Sequence, residues 1–264
     1  MMNNKWDFDD ENDRLVAYLP SFTYNDSVKL KEDINNAVRG KRIVYTLSEH
    51  TGALKDLGFS VEAETSGFFE GEKAIILTKY DKEERKNSKT KTENEEVLNR
   101  VREDSKQISQ PCLYPVGLVQ DRDLKSLAAL YKKVFPKYPT NIFDPEALKK
   151  AAESDYLFAA VKNGGEVIAA ASAMKTGYRS AEITDCAVNP DYRGNQLLHY
   201  LVLDLEEECR KEGINHIFSI TRARSTGMNM TVKRLGYQYE GTLINNCIIT
   251  SGFEDMNVWS KALK

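Results

Sequence analysis

A chain of 264 residues, 41% hydrophobic and 29% charged, has the composition of a folded soluble protein and is long enough for one large domain or two modest ones. Its 37 Lys and Arg against 40 Asp and Glu leave a net charge of −3, which excludes the basic field that holds nucleic acid or an anionic membrane. No run approaches 18 apolar residues, the start MMNNKWD (1–7) lacks the basic end and apolar run of a secretory signal, and a cytoplasmic location is expected.

In chain order, the first pattern is KDLGFSVE (55–62), which matches KRLGYQYE (233–240) in running helix, Gly, aromatic, strand. Ser66-Gly67-Phe68 before an apolar run is matched in turn by Ser251-Gly252-Phe253 before Val258-Trp259. The matches suggest a repeated unit; two independent helix-to-strand turns are the competing explanation, because Gly commonly follows a helix. At 81–106, DKEERKNSKTKTENEEVLNRVREDSK is rich in charges of both signs and poor in large apolar residues, which predicts a charged linker or exposed helix. The domains expected are therefore 1–80, a linker at 81–110, and 111–264.

In the second unit, Asp121 is a candidate cap for a helix carrying Leu124, Leu127, Ala128, Tyr131, Val134 and Phe135 at helical spacing and ending before Pro136. The segment FPKYPTNIFDPEAL (135–148) leads to a short helix near 145–153. Strands at 156–162 and 166–174 flank Asn163-Gly164-Gly165 as a hairpin, and a third strand follows at 180–188. After Pro190 a long helix runs to about 211, ended by Gly213, and a strand at 217–221, a helix at 226–235 and strands at 237–249 and 255–262 complete the chain. The order is α, β, β, β, α, β, α, β, β.

The segment AEITDCAVNPDYRG (181–194) takes a strand through a Pro-marked turn into a helix. Unpaired N–H groups at such a helix start, with Arg193, suit a pyrophosphate; a plain turn with a surface Arg is the alternative. Cys112, Cys186, Cys209 and Cys247 form no C-x-x-C pair, and His50, His199 and His216 have no partner at ligand or triad spacing, so no metal site is expected.

The element order and Val188-Asn189-Pro190-Asp191-Tyr192-Arg193-Gly194 resemble the GNAT acyltransferases, with their V-x-P-x-Y-R-G signature. The resemblance implies an α/β (α+β) GNAT fold with a mixed central sheet, preceded by a smaller, partial GNAT-like domain. It also implies acetyl-CoA as donor and a small-molecule amine as acceptor. Cofactor contacts fall on Cys186, Ala187 and Val188, on Arg193, Gly194, Asn195, Gln196, Leu197 and Leu198, and on Ser225 and Asn229, the last two being equally candidate helix caps. Gln196 and Leu198 stand where the family has glycine and a small residue, which narrows the approach of a pyrophosphate.

TRARSTGMN (221–229), GYQYEGTLINN (236–246), EDMNVW (254–259), Tyr138-Pro139, Phe143-Asp144-Pro145 and Gly67-Phe68-Phe69 are more closely similar to the β-lysine N-acetyltransferases, implying acetylation of the side-chain amine of β-lysine to give a compatible solute. The alternatives are another small amine acceptor and a non-catalytic acyl-CoA sensor. An alkyl ammonium with pKa of roughly 10.4 is neutral in only about one molecule in 2,500 at pH 7, so a base is needed. In the histone-acetylating branch a catalytic glutamate stands in a matching A-E-I-x-x-C-A pattern, which selects Glu182. Asp185 is the second catalytic candidate, placed by strand alternation on the opposite face, so only one of the two is expected to face the cleft. Substrate-ammonium binding or a solvated strand position is the alternative for each. The family's acid tyrosine falls on Val232, and no acid is assigned.

For the substrate carboxylate, Arg222 and Arg224 are the nearest cations, with Asn245 and Asn246 as neutral donors; surface charge and turn formation are their alternatives. Tyr138 and Asp144 are candidates to hold the amine, against a Pro-ordered loop packed on the core. The N-terminal unit has three candidate roles: part of the acceptor pocket, a homodimer interface, or stability alone.

Overall fold

The computed structural model describes every residue except 1, 37, 38, 109, 110, 139, 250, 251 and 264, and describes no side chains over 33–36. Pro139 and Ser251, both used above, lie outside the described residues. The first half runs β1 (Lys5–Asp9), β2 (Arg14–Leu19), α1 (Tyr24–Asn36), β3 (Lys41–Thr46), α2 (Thr51–Asp56), β4 (Ser60–Phe69) and β5 (Glu72–Tyr80). A 3₁₀ turn at Glu83–Lys86 and α3 (Lys91–Glu103) lead on to β6 (Val116–Leu118), α4 (Leu124–Val134), α5 (Pro145–Ala152), β7 (Tyr156–Asn163) and β8 (Glu166–Lys175). The chain ends with β9 (Ser180–Val188), α6 (Leu197–Lys211), β10 (His216–Arg222), α7 (Thr226–Arg234), β11 (Gln238–Ile249) and β12 (Gly252–Ala262). From α4 onward this is the expected order. The short β6 is an addition to it, and α4 starts from a Gln120–Asp123 capping box, while Asp121 reaches Lys149 instead.

Among the described residues, twelve strands form one sheet, ordered β1-β2-β3-β5-β4-β11-β12-β10-β9-β8-β7-β6. The pairing over β1–β5 repeats that over β8–β12. In each set the first strand runs antiparallel to the second, the second parallel to the third, and the third antiparallel to the fifth, which pairs with the fourth. The similarity of 55–62 to 233–240 has a concrete basis in two equivalent helix ends. Gly58 and Gly236 adopt φ of 85° and 86° after α2 and α7. Phe59 N–H then donates to Leu54 O as Tyr237 N–H donates to Val232 O, six-residue closures that satisfy the helix's last carbonyls. The second sequence match does not correspond: Ser66–Phe68 lies within β4, before its turn, whereas Gly252 and Phe253 open β12, after the turn.

The repeats meet where β4 pairs with β11 through Gly241 and Ala63. A Cβ at Gly241 would stand 2.6 Å from both Ala63 Cα and Glu62 O, so only glycine allows this approach. Across the seam lies a shared core. Phe68 has the rings of Tyr18, Tyr45, Phe69, Tyr178 and Phe218 within 4.9–5.8 Å, and Leu243, Met256 and Val258 complete the cluster. The Gly67-Phe68-Phe69 motif is thus the centre of the joint between the halves.

The charged stretch at 81–106 holds a helix that is exposed over most of its surface and buries one stripe. Helix α3 buries Val97, Leu98 and Val101 against Val232, Leu235 and Tyr237, and Asp104 takes a two-pronged ion pair from Arg234 at 2.8 and 2.9 Å. Three apolar residues at i, i+1 and i+4 suffice for one buried stripe even when every other face is charged.

Candidate active site

Strands β9 and β10 pair only over Ser180–Glu182 with His216–Phe218 and part beyond, and a cleft of about 1300 Å³ opens in the wedge. That exceeds the space one small ligand fills and leaves room for two substrates. One end is the β9–α6 turn. Asn189 accepts from Asp191 N–H at 3.2 Å and a 3₁₀ turn follows at Pro190–Tyr192. Among the described residues, the backbone N–H groups of Gly194, Asn195, Gln196, Leu197 and Leu198 then meet no protein acceptor. Five unpaired amides in succession, at the start of the 15-residue α6 and beside Arg193, form an anion cradle.

The middle of the cleft holds Glu182 and Asp185. Asp185 has φ of 50°, left-handed for a non-glycine residue, and the β8–β9 register shifts there. Before the shift Ala181 and Ile183 pack in the core under α6; after it Cys186 and Val188 do so, and Ala187 packs under α4. The bulge therefore reverses the alternation and brings Asp185 round to the face of Glu182, so both carboxyls line the cleft. Their environments differ. Asp185, 3% exposed, accepts from Ser172 Oγ at 2.5 Å, and the Tyr138 hydroxyl lies near enough to act on its charge. Burial raises its pKa against these two influences, and burial likewise pushes the Tyr138 phenol far up. Glu182 meets no hydrogen-bond donor among the described residues, and its pKa is pushed up to about 8, by burial first and then by the charge of Asp185, with Arg14 opposing.

The far wall comes from the N-terminal half. Asp7, Asp9, Asp10 and Glu11 of the β1–β2 hairpin line the same cleft, and Arg14, Tyr18 and Tyr45 lie near enough to Glu182 for the charges to interact. The β11 bulge at 244–246 closes it. Lys41 Nζ donates to Ile244 O at 2.7 Å, Asn245 N–H donates to Asp255 Oδ1 at 2.8 Å, and Arg14 Nη1 donates to Asn246 O at 3.1 Å.

Residues 124–237 match the model of the Acetyltransferase (GNAT) family. The N-acetyltransferase YodP of Bacillus subtilis is 37% identical over 84% of this chain and 82% of its own. The β-lysine N(6)-acetyltransferase of Methanococcus maripaludis is 30% identical over 96% of this chain and 93% of its own. The chain is a GNAT acetyltransferase. An acetyltransferase structure from Salmonella typhimurium with its cofactor acetyl-CoA has a TM-score of 0.50 at 15% identity, over 57% of this chain and 94% of that one, a likeness of fold.

In this acetyltransferase the predicted residues divide. Glu182, Asp185, Cys186, Val188, Arg193, Gly194, Gln196, Leu197, Leu198, Ser225, Tyr138, Arg222 and Asn246 line the cleft, and Asn195 belongs to the adjoining turn, its side chain donating to Tyr192 O at 2.9 Å. Gln196 adopts the left-handed conformation at φ 56°, so the turn keeps the shape that glycine would favour. Ser225 also caps α7, accepting from Met228 N–H at 3.5 Å.

Others lie outside the lining. Ala187 is under α4. Asn229, fully buried, accepts from Thr221, Asn257 and Trp259 at 2.9 Å each and donates to Arg222 O and Ser225 O, so it ties β10, α7 and β12 together. Asp144 caps α5 through Glu146 N–H at 3.1 Å, and Asn245 donates to Arg85 O and Asn87 O. Arg224 stands beside Glu254, and the Arg222 fork is already occupied by both oxygens of Glu254 at 2.7 and 2.8 Å. Sequence reasoning offered the acceptor pocket as one role of the N-terminal unit but named none of its lining residues. The run WDFDDENDR (6–14) was legible as acidic, but nothing local in it says which cleft it reaches.

Proposed function

We propose that the protein transfers the acetyl group of acetyl-CoA to the side-chain amine of β-lysine, giving an N-acetylated, zwitterionic compatible solute. One observation carries the reading: Glu182 stands unpaired in a cleft whose lining includes a run of five unpaired amides and a wall from the other half of the molecule. The cradle fits the pyrophosphate of acetyl-CoA, with Arg193 beside it, and the names of two relatives with 30% identity support β-lysine as acceptor.

The chemistry follows from the two ends. Glu182, ionised, takes a proton from the acceptor's ammonium; a base with pKa near 8 accepts it with more driving force than an ordinary carboxylate. The freed lone pair attacks the acetyl carbonyl, the new C–N bond forms as the C–S bond breaks, and the surplus proton on the nitrogen passes directly or through solvent to the departing CoA thiolate, which needs little help to leave at a thiol pKa of about 8.5, giving the neutral amide and free CoA thiol. Backbone amides near 186–188 align the acetyl carbonyl, and holding both substrates in one cleft supplies much of the rate. A small diamine is the second reading, favoured by Asp7, Asp10 and Glu11 along the acceptor wall.

The test is to incubate the protein with acetyl-CoA and, separately, β-lysine, α-lysine, ornithine and spermidine, following thiol release and the mass and acetylated nitrogen of each product. β-Lysine is expected to react fastest, at its side-chain nitrogen. Absence of thiol release with every amine would overturn the enzymatic reading.

A further inference from the structure

The acceptor end of the cleft contains a guanidinium that is fixed in place yet only partly used. Arg14 opens β2, and its side chain is 18% exposed. Its Nε donates to Asp9 Oδ2 at 2.8 Å, and its Nη1 donates to Asn246 O at 3.1 Å and contacts Cys247 Sγ at 3.4 Å. Its Nη2 makes no hydrogen bond among the described residues and is not among the sealed unpartnered atoms, and Arg14 lines the cleft. The partners on Nε and Nη1 lock the planar fork before any ligand arrives, which lowers the entropy lost on binding.

Two other guanidinium groups of the lining are paired with carboxylates. Arg222 is held by Glu254 and Arg234 by Asp104, while Arg193 stands at the anion cradle. Arg14 also lies near enough to Glu182 for its charge to act on that carboxyl. An acceptor spanning the two would place an anion at Arg14 and its reacting ammonium at Glu182. Asp9 balances the guanidinium, and an amino acid brings its ammonium and carboxylate together.

We propose that Arg14 binds the carboxylate of the acceptor through Nη2, making it the specificity-determining residue that selects an amino acid over an amine lacking that group. The proposal rests on the acetyl-transfer reading above. The N-terminal half thereby gains a definite role, with the carboxylate anchor on β2 complementing the base on β9.

The test compares β-lysine with its carboxamide, which keeps both amines and the length but lacks the anion. Wild-type protein is expected to favour β-lysine about tenfold or more in kcat/KM. Arg14→Gln should cut kcat/KM for β-lysine about 10- to 100-fold, mainly through KM, and bring the preference close to one. Arg14→Lys, which keeps a charge for Asp9 but loses the fork, should fall between. Equal use of the two acceptors by the wild type would overturn the proposal without reference to any variant. So would an unchanged preference in both variants with acetyl-CoA affinity intact by calorimetry. Failure of the wild type to acetylate either compound would instead overturn the acetyl-transfer reading beneath it.

Discussion

Two carboxyls three positions apart on one strand divide the work because their hydrogen bonding differs. Asp185 is engaged by the Ser172 hydroxyl, while Glu182 has no hydrogen-bond partner among the described residues and is free to exchange a proton. Replacing Glu182 by Gln should lower kcat about 10²- to 10⁴-fold with acetyl-CoA affinity unchanged by calorimetry. The same substitution has a signed effect on stability. A carboxyl whose folded pKa is raised from 4.5 to about 8 destabilises the fold progressively as pH climbs between those values. Glu182→Gln should therefore raise the melting temperature more at pH 9 than at pH 5, and an equal change at both would contradict the shift. Asn229→Ala leaves the donors of Thr221, Asn257 and Trp259 unpaired at a fully buried site, and should cost about 3 kcal/mol in denaturant unfolding. The choice of Glu182 was legible through the A-E-I-x-x-C-A pattern. That Asp185 shares its face was not, because strand alternation is the default and no glycine marks the left-handed residue that breaks it.

At the level of elements, the second half was readable nearly strand for strand, since its helices are amphipathic and its turns carry Gly or Pro. Helix α3 was not, because its composition is dominated by charge and its buried apolar stripe is only Val97, Leu98 and Val101. Its packing gives a clear expectation: Leu98→Ala should cost about 2–3 kcal/mol, where a solvated helix would lose under about 0.5. Denaturant titration of the single variant decides between them. At the β9–α6 turn Gln196 stands where the family has glycine, and the backbone there is left-handed, at a steric cost of about 1 kcal/mol that Gln196→Gly should recover.

For the whole molecule, the two halves share a core as well as a cleft. Phe68 packs on rings from both sides of the seam, so Phe68→Ala should cost about 3–5 kcal/mol and lower the stability of the entire chain in one transition. A chain beginning at residue 81 would expose Phe218, Leu243, Met256 and Val258 and lose Arg14, and is expected to lose both solubility and acceptor selection. The repeat was visible in sequence only where a helix cap imposes its chemistry, at Gly58 and Gly236; the rest of the likeness lies in strand pairing, which distant residues determine.

The central claim is that Glu182 removes the acceptor's proton in a cleft built by both halves. The most direct measurement is kcat/KM for β-lysine acetylation against pH, from 6 to 10, in wild-type and Glu182→Gln protein. If ionised Glu182 acts on the ammonium, the wild-type profile rises with unit slope to about pH 8 and then levels off, because the base is formed and the acceptor is still protonated. The variant, dependent on amine already neutral in solution, keeps rising to about pH 10. Identical profiles and similar rates in the two proteins would contradict the account.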